Sequence, residues 1–105
     1  MSRCGVVIGW DIGGVNVKIA VVDRGVGGGR ILRVEEVPFE LQRAPDRLTP
    51  LLVTLAGADA FAPDTTHAVT MTAELSQMFR TKRDGVCFVL DAVAAAFPAA
   101  FVGVF

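Results

Sequence analysis

Asp11-Ile12-Gly13-Gly14-Val15-Asn16-Val17-Lys18 decides how this 105-residue chain is read. An apolar run, Gly5-Val6-Val7-Ile8-Gly9-Trp10, precedes it, and Ile19-Ala20-Val21-Val22 follows. The pattern is strand, tight glycine turn, strand, a hairpin over residues 9–18. Gly13 and Gly14 lack a Cβ, so the turn is expected to use positive φ and to let a ligand approach the backbone. N–H groups in such a turn converge on an anion. Asn16 and Lys18 are two apart on a strand and project from one face. Asn16 brings donors and an acceptor; Lys18 brings a point charge suited to phosphate. Asp11 ends the first strand at the same opening. Repulsion keeps it off a phosphate, so its expected task is to hold Mg²⁺, largely through water. A plain hairpin with a surface Asp and Lys is the alternative. The combination D-x-G-G-x-N-x-K between two apolar strands favours the phosphate site.

Outward from the hairpin, strand one is read over Gly5 to Asp11 and strand two over Val15 to Asp23. Arg24 to Gly29 is a glycine-rich loop. Arg30 to Pro38 alternates as a third strand, and the short connections make the three an antiparallel meander. Pro45 to Ala56 is a helix with Leu48, Leu51, Leu52 and Leu55 on one face, Pro50 near its first turn and Gly57 as its stop. Ala68 to Met71 is a short buried strand. Ala73 to Thr81 is a short helix. Asp84 is expected to cap a further helix with Val86, Leu90, Val93 and Phe97 on its inner face. Ala100 to Phe105 begins another strand. Helical connections favour adding the last two strands in parallel. The class is α/β.

Composition bounds the rest. One small domain fits the length. The apolar fraction is 52% and mean hydropathy is +0.53, so a core is easily built. A net charge of −1 gives no reason to expect nucleic acid as a partner. Arg80, Lys82 and Arg83 read as a solvated helix end. Cys4 and Cys87 lack metal-ligand spacing, and Cys87 is expected in the core. No signal peptide is visible and the thiols suit a cytoplasmic protein. Val86 to Phe105 is apolar, but Asp91 inside it would cost about 2.5–3.5 kcal/mol at a bilayer centre and Pro98 interrupts it. A buried helix and strand are expected there, and no membrane partner.

Thr70, Thr72 and Glu74 lie where a buried strand gives way to a helix, the end of the sheet where ligands gather. Glu74 is a candidate metal ligand or general base, against the plainer role of a first-turn carboxylate worth about 0.3–1 kcal/mol. His67, the only histidine, reads as an incidental loop residue without an acidic partner. Trp10 could line a pocket for an aromatic ring, but core packing is its expected use.

The hairpin resembles the first phosphate motif of the superfamily that includes actin, the Hsp70 chaperones and the sugar kinases. Thr70-Met71-Thr72-Ala73-Glu74-Leu75, with Lys82-Arg83-Asp84-Gly85-Val86 further on, resembles the hydantoinase/oxoprolinase-related branch, and within it proteins linked to tetrahydromethanopterin and methanofuran C1 metabolism. Relatives often carry Gly where this chain has Ala73. The resemblance spans nearly all of the chain but only the N-terminal part of a family member. It implies a ribonuclease-H-like (actin-like ATPase) half-domain over residues 1–105. It also implies a Mg²⁺-dependent transferase of methanofuran biosynthesis, which condenses an aminomethylfuran diphosphate with γ-glutamyltyramine and releases pyrophosphate. Asp11, Lys18 and Glu74 would then carry the chemistry. Gly13, Gly14, Asn16, Lys18 and Thr72 would hold the phosphate or pyrophosphate, and Asp11 the metal. Two alternatives stay open: an ATP-dependent kinase or hydrolase with ATP as cofactor, and a non-catalytic nucleotide- or partner-binding module. A half-site alone is expected to be inert. A strand that stops at Phe105 is expected to leave an edge inviting homo-oligomers or a missing C-terminal half-domain.

Overall fold

A computed structural model describes residues 5–24, 29–58, 65–71, 81–98 and 101–104. The strands are β1 (Val6–Ile12), β2 (Asn16–Asp23), β3 (Arg30–Pro38), β4 (Thr66–Met71) and β5 (Phe101–Val104). The helices are α1 (Leu48–Ala56), entered through a 3-10 turn at Pro45–Arg47, and α2 (Lys82–Ala96). One sheet holds all five strands in the order β3-β2-β1-β4-β5. The meander is antiparallel, and β4 and β5 add to it in parallel. That is the α/β arrangement expected from the chain's short and helical connections. The expected helix over Ala73 to Thr81 and the loop Arg24 to Gly29 fall largely on residues 72–80 and 25–28, outside the described residues.

Alternation along β1 sends Val6, Ile8, Trp10 and Ile12 into the core and leaves Val7, Gly9 and Asp11 on the other face. Val17, Ile19 and Val21 of β2 share the core face. Leu48, Leu52 and Leu55 of α1 and Val89, Ala92 and Val93 of α2 close over it in one cluster. Each Val, Leu or Ile side chain among these contributes about 1.5–3 kcal/mol when fully buried. Both described helices therefore lie on one face of the sheet.

Two helix ends have identifiable partners. At the start of α2, Thr81 rather than Asp84 is the N-cap: its hydroxyl accepts the Asp84 N–H at 3.0 Å. Asp84 sits instead in the first turn, favourable to the helix dipole. At the end of α1, Gly57 takes φ 57, and Arg33 of β3 donates through Nη2 to the carbonyls of Leu55 (2.7 Å) and Ala56 (3.0 Å). A cation on these last-turn carbonyls ties the edge strand to the helix. Glu35 pairs with the same guanidinium. The register of β2 and β3 shifts between Val21 and Val22, leaving Leu32 as an extra residue.

The inner face of α2 differs from expectation. Val89, Ala92 and Val93 are buried, while Val86 and Leu90 are only half-buried and Cys87 is exposed. Apolar residues surround much of this helix, so hydrophobic period alone allows two neighbouring stripes. The stripe carrying Gly85 and Ala92 admits the closer approach. The Thr49 hydroxyl of α1 reaches the Ala92 carbonyl at 3.2 Å. Among the described residues no helix is long and apolar enough to cross a bilayer.

Candidate phosphate-binding site

The polar residues of the hairpin collect on the sheet face opposite α1 and α2. Asp11 pairs with Lys18 across β1 and β2, and Lys18 pairs with Glu36 across β2 and β3. On its other side Asp11 pairs with Thr70 of β4. Directly opposed residues face the same way, so Glu36, Lys18, Asp11 and Thr70 form one row across four strands. Adjacent members are about 4.7–4.9 Å apart along the row at the backbone. Asn16, two residues before Lys18, projects from the same face. An open cleft of about 140 Å³ is lined by Asp11, Gly13, Gly14, Val15, Asn16, Lys18 and Glu36.

The turn itself is built differently from the expectation. Neither Gly13 nor Gly14 has positive φ; among the described residues Gly5, Gly29 and Gly57 do. Gly13 and Asn16 continue the β1–β2 register, so the reversal falls on Gly14 and Val15, both at negative φ as in a type I turn. The Gly13 N–H closes the hairpin on the Asn16 carbonyl at 3.0 Å. It is therefore spent on the fold, and among the described residues the Gly14 N–H has no acceptor. The Gly14 and Val15 carbonyls accept from Leu41 (3.0 Å) and Phe39 (2.8 Å), which pins the tip to the segment after β3. A pinned tip holds its free donor in place before any ligand arrives.

The Thr70 hydroxyl lies 3.2 Å from the Trp10 carbonyl and 3.5 Å from Oδ1 of Asp11. It borders the carboxylate at the carboxyl ends of two parallel strands. Among the described residues no third His, Cys, Asp or Glu joins Asp11 in a cage. Thr72 and Glu74 lie outside the described residues. Sequence reading missed Glu36, whose place in the cleft is set by the β2–β3 register.

Beneath the hairpin is a feature the sequence did not announce. His67 is not a loop residue; it lies in β4 and is fully buried. Trp10 Nε1 donates to His67 Nδ1 at 3.0 Å. The ring stacks on Phe97, centroids 4.1 Å apart, and lies nearly parallel to the indole. Because Nδ1 accepts, the neutral ring carries its proton on Nε2, and that atom is buried with no partner among the described residues. Burial lowers the His67 pKa from 6.5 to about 4.

Comparison with known proteins places this geometry. No family model matches the chain. Residues of T. thermophilus RuvC, solved with a Holliday junction substrate, superpose with a TM-score of 0.63 at 23% identity, covering 96% of this chain and 64% of that one. A Bacteroides thetaiotaomicron protein with an actin-like ATPase fold and unknown function gives 0.55 at 14% identity over 99% of this chain and 34% of its own. The fold is the ribonuclease-H-like one of the actin-like ATPases. In sequence the chain is 31% identical over 91 residues to the (4-{4-[2-(gamma-L-glutamylamino)ethyl]phenoxymethyl}furan-2-yl)methanamine synthase of Methanocaldococcus jannaschii. That match takes in 87% of this chain and 24% of the synthase, so the chain spans about a quarter of the relative's length.

Proposed function

We propose that this chain is the phosphate-binding half-domain of a Mg²⁺-dependent transferase of methanofuran biosynthesis. In this reading the phenolic oxygen of γ-glutamyltyramine attacks the methylene carbon of an aminomethylfuran diphosphate. The carbon–oxygen bond to diphosphate breaks, the phenol proton leaves to a base, and pyrophosphate departs. The observation that carries the reading is the single cleft that gathers Asp11, Gly14, Asn16 and Lys18. The likeness to the M. jannaschii synthase, whose named product holds that phenoxymethyl-furan ether, supplies the substrate class.

The chain's own residues act on the leaving group. Lys18 sets a positive charge beside the departing oxygens, Asn16 donates a side-chain N–H, and Gly14 offers its free backbone N–H. Preorganised donors of this kind stabilise charge that develops as the bond breaks. A cation fits the donor set in one way. Asp11 gives a hard carboxylate oxygen, and Mg²⁺ commonly binds through one or two carboxylates with water and substrate phosphates completing the shell. When bound, it would neutralise leaving-group charge.

The test is competitive binding to the purified chain, followed by the Gly14 amide signal in NMR. Diphosphate with Mg²⁺ should shift that signal, and a furan-methyl diphosphate should compete with it. Mg·ATP should bind no tighter than diphosphate, since the cleft residues Asp11, Gly14, Asn16 and Lys18 serve only a phosphate group and its cation. A preference for Mg·ATP above roughly tenfold, about 1.4 kcal/mol, would replace the transferase reading with an ATP-dependent one.

A further inference from the structure

Lys18 stands between two carboxylates. Asp11 is its cross-strand partner on β1 and Glu36 its partner on β3. All three line the cleft. Among the described residues neither carboxylate closes an ion pair on Lys18. The ammonium is therefore available to a ligand, but the cleft as a whole is not cationic: two carboxylates against one ammonium leave −1. A multiply charged free anion entering it meets net repulsion, and one carrying a divalent cation does not.

We propose that Glu36 is a specificity residue of this site, selecting metal-chelated diphosphate over the free anion. The inference rests on the phosphate reading above. Asp11 alone would attract the cation. Glu36, on the far side of Lys18, is two strands away from Asp11, too far to share one ion with it. Its charge instead raises the cost of any anion that arrives without a metal. The neighbouring residue makes the contrast sharp. Glu35 points to the opposite face, where Arg33 engages it, whereas Glu36 faces the cleft. Two adjacent glutamates on one strand thus have separate tasks, one in holding α1 to the edge strand and one in screening the ligand.

The experiment titrates the full chain with diphosphate, once with EDTA and once with saturating Mg²⁺, following the backbone amides of the hairpin. Wild type, Glu36→Gln and Glu35→Gln are compared. Glu36 is exposed, so its variant should fold, and the amide spectrum verifies that directly. Wild type should prefer the Mg²⁺ complex roughly tenfold or more, and Glu36→Gln should narrow that ratio about five-fold by gaining affinity for the free anion. Glu35→Gln, with the same change in net charge, should keep the wild-type ratio. An unchanged ratio in Glu36→Gln, or an equal change in Glu35→Gln, overturns the assignment while leaving the phosphate site standing. No binding of either form by wild type removes the phosphate reading, and this inference with it.

Discussion

Acid should loosen this fold through one residue, and the chain is well suited to detecting it. It has one histidine and one tryptophan, and they are hydrogen-bonded to each other in the core. Burial depresses the His67 pKa from 6.5 to about 4. A group whose folded pKa is lowered in this way favours the neutral ring in the native state. The unfolded chain then binds the proton more readily, so stability is complete above 6.5 and declines as pH falls toward 4. The full loss across that window is about 3 kcal/mol, and at about pH 5.5 it is already about 1.4 kcal/mol. Protonation at Nδ1 also removes the acceptor of the Trp10 N–H, so the indole loses its bond as the ring charges. Urea unfolding followed by Trp10 fluorescence, at about pH 7.5 and about pH 5.5, measures the effect. His67→Gln keeps a polar acceptor without a titrating ring, and its stability should be flat across this window apart from the carboxylate background shared with wild type. The difference between the two proteins isolates His67. If both lose the same stability, or if the His67 ring titrates near 6.5 by NMR, the buried, neutral histidine is wrong.

Two further outcomes follow from the same geometry. Arg33→Met should keep the aliphatic packing of the edge strand but lose the two bonds to the end of α1, costing about 1.5–3 kcal/mol in chemical denaturation. Gly14→Ala should fold with nearly unchanged melting temperature, because Gly14 does not use positive φ, yet weaken diphosphate binding by placing a methyl group in the cleft. A large fall in melting temperature with unchanged affinity would reverse that assignment.

Most of the sheet was legible because its signals are periodic. Alternation in Val6–Ile12 and Asn16–Asp23, with short connections, is enough to set the meander and to place Asp11, Asn16 and Lys18 at one opening. What escaped depends on register and on helix rotation. Glu36 joins the cleft only because β3 pairs it with Lys18, and a strand sequence does not state its partner. The sequence reading starts β4 at Ala68, one residue after His67, and so leaves His67 outside the strand. The buried alternation of Thr65, His67 and Val69 was the available clue. On α2, Val93 and Phe97 are buried as expected, but Val86, Leu90 and Cys87 lie off the most buried stripe, because two apolar stripes compete there and contact with α1 chooses between them. Positive φ at the glycine pair failed because glycine permits left-handed dihedrals without requiring them, and a type I turn uses none.

On the proposed reading, the hairpin holds a metal-chelated phosphate group through Asp11 and Lys18. Calorimetric titration of the chain with Mg·diphosphate tests it, using wild type, Lys18→Ala and Asp11→Asn. Wild type should bind saturably, with millimolar-range affinity for an open cleft of few contacts, on the order of 4 kcal/mol. Loss of one charged contact should cost about 1.5–3 kcal/mol and take either variant below detection while its amide spectrum stays folded. Equal affinity in all three proteins would contradict the account.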